Sequence, residues 1–262
     1  MKIISCGITD IGRKRQRNED SYLVNDKLKL YIVADGMGGH AGGEFASKIA
    51  VSTVEEILKG EDRKKSRVQE KSYLDASQSR GGDRFEADRL RDAIARAGSV
   101  IVRRASEEPE LRGMGTTATI MLFIGDKAYV AHVGDSRAYC VREGKIIQIT
   151  EDHSLVHEQL KSGLITEEEA KTHQLKNIIT RSVGVQEEVE VDTVVWKVEK
   201  DDRYLLCSDG LSNMVTDLEI EQAISVNEPE EASRVLVERA NQRGGDDNIT
   251  LIALHVVNMN EK

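Results

Sequence analysis

Four aspartates each stand where an apolar, strand-like run meets a turn: Asp35 in VADGMGGHAGGE, Asp135 in HVGDSR, Asp209 in LLCSDG and Asp247 in GGDDNIT. A carboxylate at a strand end beside glycine is held by the strand while its oxygens face a cleft. Several of them converging make an oxygen-only site for hard divalent cations. A further acidic pair, Glu19 and Asp20 in RQRNEDS, follows the basic residues Arg13, Lys14, Arg15 and Arg17. There one arginine can clamp a phosphate with its planar fork while the acids hold metal or metal-bound water. Any one of these aspartates alone reads as a turn or cap residue, because Asp bonds its own backbone in such places. Three strand-end carboxylates beside an Arg-x-x-Asn-Glu-Asp run are much harder to ascribe to turns.

The glycines around Asp35 admit a second reading. Gly36, Gly38 and Ala41 satisfy the G-x-G-x-x-A spacing of a dinucleotide-binding turn. Asp35 would then repel the pyrophosphate, and no second acidic strand end follows about 20 residues on. A metal site explains more, since glycine lets the Gly36 carbonyl approach as one more hard ligand. The three cysteines, Cys6, Cys140 and Cys207, form no CxxC pair and have no arginine six residues later. Zinc, a disulfide framework and a cysteine-phosphatase loop are all poorly supported, and the three read as buried small hydrophobes in a reducing compartment. His40, in GGHAGG, is the histidine placed to act as a general acid, or equally to orient the loop. His132 falls in a strand and reads as structural; His153, His157 and His173 read as surface residues.

The elements that would hold these groups are legible in outline. Lys2 to Thr9 and LKLYIVAD read as strands, and Glu44 to Leu58 as a helix with Phe45, Ile49, Ala50, Thr53, Val54 and Ile57 at helical spacing. Residues 60–83 are charged and poor in apolar side chains, which suggests a mobile surface insertion. Helical periodicity resumes from Phe85 to Ser106. TTATIMLFIG, KAYVAHVGD, SRAYCVREG and KIIQIT then read as an antiparallel meander. Two short helices follow, the second opened by a capping box at Thr166 and Glu169. Strands VEVDTVVWKV and DRYLLCSD, helices TDLEIEQAI and EEASRVLVERANQRG, and a closing strand NITLIALHVV complete the chain. Strands and helices in separate runs favour an α+β class.

Composition narrows the partners. With 262 residues, 39% hydrophobic and 32% charged, the chain suits an ordinary globular protein with a sizeable core. The formal charge of −9 makes nucleic acid and anionic membrane poor partners. No run approaches the roughly 20 apolar residues of a membrane span, and the N-terminal apolar stretch is too short for a signal peptide, so a cytoplasmic location is expected.

Taken in order, RQRNEDS, VADGMGGHAGGE, GMGTTAT, AHVGDSRAY, DHSLVHEQLKSGLIT, NIITRSVG, LLCSDGL and GGDDNIT make the sequence resemble the metal-dependent protein phosphatases of the protein phosphatase 2C type, in their bacterial form. The resemblance spans almost the whole chain and implies a single catalytic domain over 1–262, folded as a four-layer sandwich of two packed antiparallel sheets flanked by helices. It implies that Asp35 bridges two ions of Mn²⁺ or Mg²⁺, that the Gly36 carbonyl ligates the second and that Asp209 and Asp247 ligate the first. Glu19 and Asp20 would hold the second ion directly or through water, and Asp135 would serve a third, weaker ion. Arg15 is the candidate phosphate clamp, with Arg17 as the alternative register. Residues 153–181 would form the flap beside the cleft. The implied reaction is hydrolysis of phosphoserine and phosphothreonine by a water bridging the two cations. The implied partners are phosphoproteins made by a cellular Ser/Thr kinase, and a monomer is expected. A catalytically inactive phosphoprotein-binding module and a hydrolase of small phosphoesters are the competing readings.

Overall fold

A computed structural model describes residues 1–38, 42–60, 81–171 and 173–259. Two five-stranded antiparallel sheets form its centre. The first runs β1 (Lys2–Asp10), β12 (Ile249–Asn258), β11 (Arg203–Cys207), β8 (Arg137–Arg142), β9 (Lys145–Gln148). The second runs β10 (Asp192–Lys197), β7 (Lys127–Val133), β6 (Ala118–Ile124), β3 (Leu30–Ala34), β2 (Ser21–Asn25). A two-stranded ribbon joins β4 (Gly36–Met37) to β5 (Gly115–Thr116).

The inner faces of the sheets meet in one apolar layer. Tyr31, Val33, Met121 and Phe123 come from the second sheet, and Cys140, Tyr204, Leu206, Ile252 and Leu254 from the first. Phe123 is wedged edge-on between Tyr31 and Tyr204, with ring centroids 5.9 and 5.4 Å away. The outer faces are buried too. Leu30, Ile32, Ala34, Ile120 and Ala131 pack against α1 (Gly42–Lys59) and α2 (Gly81–Glu107). Tyr139, Leu205, Cys207, Leu251 and Ala253 pack against α5 (Asp209–Ser212), α6 (Asp217–Val226) and α7 (Pro229–Gln242). Strands covered on both faces read as unbroken apolar runs, which is why LYIVA shows no alternation and all five residues are buried. The four-layer sandwich expected from the sequence is the fold observed.

Several local expectations are corrected. β6–β7 and β8–β9 are hairpins, but they lie in different sheets, so the expected meander is split at Gly134–Ser136. β2 carries no strong apolar signal because all of its residues are only half-buried. On α1 the buried stripe is Ala46, Ala50, Val54 and Leu58, whereas Phe45 is 46% exposed. Residues 61–80 of the expected insertion lie outside the described residues. Its last residues, Gly81 to Asp83, open α2 instead. Asp83 accepts two bonds from Lys127 Nζ (2.7 and 2.6 Å) and one from Tyr129 Oη (2.7 Å), in the helix's first turn where a negative charge is favoured. Cys140 and Cys207 are buried as expected, but Cys6 is only partly so. Between β9 and β10 stand α3 (Leu155–Lys161) and α4 (Glu167–Lys171), the latter opened by the expected box: Glu169 accepts from Thr166 N (2.8 Å) and Thr166 Oγ1 accepts from Glu169 N (3.3 Å).

Because Phe123 joins both sheets, Phe123→Ala should remove about 3–5 kcal/mol of stability. A urea titration followed by fluorescence and circular dichroism reads this as one coincident transition at lower denaturant; a change below about 1 kcal/mol would show that the sheets are joined elsewhere.

Candidate active site

The acidic residues gather where strands end and the chain changes layer. Asp35 follows β3. Asp135 lies in the Gly134–Ser136 bend that carries the chain from the second sheet to the first. Asp209 is the first residue of α5, just after β11, and Asp247 stands two residues before β12. Glu19 and Asp20 lead into β2. A cleft of about 650 Å³ is lined by Arg15, Arg17, Glu19, Asp35, Gly36, Asp135, Asp209, Asp247 and Asn248. Asn177 and Ile179 of the flap line it as well, with Ser182 just beyond the flap. Asp20 is not on the lining; it lies behind it, 7% exposed, with Ser208 Oγ donating to its Oδ2 at 2.8 Å. His40 lies outside the described residues.

Asp35 is fixed through its backbone. The Asp35 amide donates to Thr117 Oγ1 (2.8 Å), while its carbonyl accepts from Thr116 Oγ1 (2.9 Å) and the Thr117 amide (2.9 Å). Thr117 Oγ1 also bonds Ser136 Oγ at 2.8 Å, which joins the Asp35 and Asp135 turns. Asn248 staples the N-terminal loop: its Oδ1 accepts from Glu19 N (2.8 Å), and its Nδ2 donates to the carbonyls of Ile11 (3.0 Å) and Arg17 (2.9 Å). The loop is closely seated. A Cβ on Gly36 would stand 2.0 Å from the Gly43 carbonyl oxygen and 2.4 Å from that of Glu19. Arg15 Nη2 reaches Asp247 Oδ2 at 2.6 Å, and Lys14 Nζ reaches Asp246 Oδ1 at 2.6 Å. Asn248, Thr116, Thr117 and Ser208 went unrecognised in the sequence because they act on backbone or on another acid. Their only signal was membership of the GMGTTAT, CSDG and DDNIT runs.

The electrostatics of this arrangement are unfavourable by construction. Burial and the charges of Asp209 and Asp247 raise the Asp20 carboxyl to about 7. Asp135 is raised to about 8, by burial and then by Asp209 and Asp152. Asp209 is raised to about 6, by burial and then by Asp247. Asp35 is held well above the carboxylate range by burial and by Asp20, Asp209 and Asp135. Glu19 is raised by burial. One oxygen each of Asp20, Asp135 and Asp209 is shielded from solvent and has no hydrogen-bond partner. Such atoms are costly unless a positive group completes them. Among the described residues no three His, Cys, Asp or Glu side chains close up into a ready-made metal cage; the acids instead ring the cleft. Hard oxygen donors, unpaired carboxylate oxygens and a glycine where backbone passes backbone are together the donor set that Mg²⁺ or Mn²⁺ uses.

A two-sheet sandwich with carboxylates at the strand ends and arginines over them defines a class of phosphate-ester hydrolases. Residues 11–243 match the protein phosphatase 2C family model, and the chain belongs to that family. It is 40% identical over 248 residues to the serine/threonine phosphatase Stp of Listeria innocua, covering 93% of this chain and 92% of that one. It is 35% identical to the protein phosphatase PhpP of Streptococcus pneumoniae, covering 97% of each. The crystal structure of the Mycobacterium tuberculosis serine/threonine phosphatase PstP/Ppp superposes with a TM-score of 0.85 at 34% identity, over 98% of this chain and 99% of that one. The catalytic domain of PstP solved in complex with two manganese ions gives a TM-score of 0.82 at 35% identity, over 98% and 99%.

The raised carboxyls set a pH dependence. In the folded chain they keep protons that the unfolded chain releases near pH ~4, so each costs stability progressively as pH rises from there to its folded value and no more beyond it. In chelator, Asp209→Asn should therefore raise Tm little near pH ~4 and clearly near pH ~8. Equal Tm gains at both pH values in thermal scans would show that Asp209 is not titrating in this window.

Proposed function

We propose that this chain is a phosphoprotein phosphatase that hydrolyses phosphoserine and phosphothreonine with two divalent cations, Mn²⁺ or Mg²⁺. The observation that carries the reading is the set of unpartnered oxygens on Asp20, Asp135 and Asp209 around a cleft whose rim holds Arg15 and Arg17. Asp35, the Gly36 carbonyl, Asp209 and Asp247 would hold the core pair of ions, with Glu19 and Asp20 completing the second ion's surroundings. Asp135 would serve a third, weaker ion. When bound, the cations supply a nucleophile active near neutral pH and positive charge beside the phosphate.

The protein's own groups do the remainder. Asp35 and Asp135 are aimed by the Thr116–Thr117–Ser136 bonds, so their oxygens hold place against mutual repulsion. Arg15, oriented by Asp247, binds the phosphoryl oxygens and neutralises charge that grows in the transition state. Arg17 lines the same cleft and is the alternative clamp. His40 is the proposed proton donor to the leaving alkoxide. Residues 153–181 act as the flap, and Asn177 and Ile179 on the cleft wall support a polypeptide substrate over a small phosphoester. Residues 1–262 would form one catalytic domain, acting as a cytoplasmic monomer in signalling, on proteins phosphorylated by a Ser/Thr kinase. Among the described residues no helix is long and apolar enough to cross a membrane.

Purified protein should release phosphate from a phosphothreonine peptide with Mn²⁺ or Mg²⁺ and lose that activity in EDTA. No release with either metal from folded protein would overturn the reading in favour of a phosphopeptide-binding module. Asp209→Asn should lower kcat by roughly two orders of magnitude or more. Arg15→Ala should raise KM for the peptide about tenfold with a smaller change in kcat; the same effect from Arg17→Ala alone would move the clamp to position 17.

A further inference from the structure

His153, read as a surface residue from the sequence, is 6% exposed and sits at the start of the flap. Its backbone and its ring are both engaged. The His153 amide donates to the Gly134 carbonyl at 2.7 Å, and the Gly134 amide donates back to His153 Nδ1 at 3.1 Å. The His153 carbonyl accepts from Thr180 N at 2.8 Å, which brings the two ends of the flap together. Nδ1 accepts from an amide, so it carries no proton. Nε2 therefore carries the ring proton and lies 3.3 Å from both Asp192 Oδ2 and Arg181 Nη1; of the two only the carboxylate can accept from it. Arg181, at the far end of the flap, reaches the other oxygen of Asp192 at 3.0 Å and Glu190 at 2.9 Å. Burial lowers the His153 pKa, which favours the neutral ring this pattern requires.

Gly134 is the residue before Asp135 and has a left-handed φ of +110°. A Cβ there would meet Thr117 Cγ2 at 2.5 Å. The turn is therefore closely packed on Thr117 and tied to His153 through both its carbonyl and its amide. One ring nitrogen holds the Asp135 turn; the other holds the flap base on β10.

Resting on the phosphatase reading above, we propose that His153 is a positioning residue: its imidazole makes the flap and the Asp135 turn one unit, so that phosphopeptide binding and carboxylate aim are set by the same ring. It touches no substrate. Its two nitrogens do separable jobs, and two substitutions divide them. In His153→Asn the side-chain oxygen can stand in for Nδ1 and keep the Gly134 bond, while the reach to Asp192 is lost. In His153→Gln the side-chain NH₂ can stand in for Nε2 and keep Asp192, while Gly134 loses its acceptor.

The test compares a phosphothreonine peptide with para-nitrophenyl phosphate, and follows amide exchange at Gly134. Asn should raise the peptide KM about tenfold, leave kcat and the aryl phosphate reaction within about twofold, and keep Gly134 protected. Gln should lower kcat about tenfold on both substrates, leave the peptide KM unchanged and expose Gly134 to exchange. Two variants that both match the wild type, or that lose kcat and KM alike with equal loss of Gly134 protection, would show that the ring merely fills space. A wild type with no turnover would defeat the phosphatase reading instead, and Gly134 exchange in the two variants would still decide whether the imidazole holds the turn.

Discussion

Like charges held close together are the constraint on which the rest of the structure depends. Burial raises the pKa values of Asp20, Asp35, Asp135 and Asp209, and neighbouring carboxylates raise them further. Left to themselves the side chains would rotate toward water. They are kept in place because each is attached to backbone that cannot turn: a strand end, a helix start or a bend pinned by threonine and serine hydroxyls. The apolar layers exist in sufficient depth to bear that cost. Two sheets covered on both faces bury nearly every residue of the central strands, so the frame is stiff where the acids leave it.

The backbone bonds around the cleft also connect its parts. Thr116 exchanges backbone hydrogen bonds with Val183 at 3.0 and 2.8 Å, and its hydroxyl holds the Asp35 carbonyl. Gly184, with φ of +92°, packs so closely that a Cβ would meet Ile101 Cγ2 at 2.2 Å. The segment just after the flap is therefore seated on α2 and on the same threonine that fixes Asp35. The flap carries α3 and α4 and is anchored at its base beside the β4–β5 ribbon.

What could be read in advance followed from how much physics each feature puts into local sequence. A strand buried on both faces, such as LYIVA, announces itself, and so do glycine-flanked aspartates at strand ends. The α+β class and the strand-end residues Asp35, Asp135, Asp209 and Asp247 were legible on those grounds, whereas the four-layer arrangement and the places of Arg15, Glu19 and Gly36 came from the family resemblance. β2 was not, because half-buried residues leave no strong pattern. The split between β7 and β8 was hidden because a bend between sheets and a hairpin turn within one use the same glycine-rich residues. His153 was misjudged because its burial comes from the flap folding back over it, which no local pattern encodes. Asn248 was visible only as a member of a motif; its bonds reach Ile11, Arg17 and Glu19, more than 200 positions away in the chain.

The placing of β12 between β1 and β11 has a consequence for how the protein is made. The first strand of the chain has no other neighbour in its sheet, so it stays unpaired until the final strand is available. The loop carrying Arg15 and Glu19 waits with it, since Asn248 and Asp247 are the groups that seat that loop. During synthesis the half of the cleft built from β3, β6 and β7 can form early, while the basic half remains loose until residues 247–258 emerge. A nascent chain therefore completes its cleft only after residues 247–258 have emerged, an order set by topology.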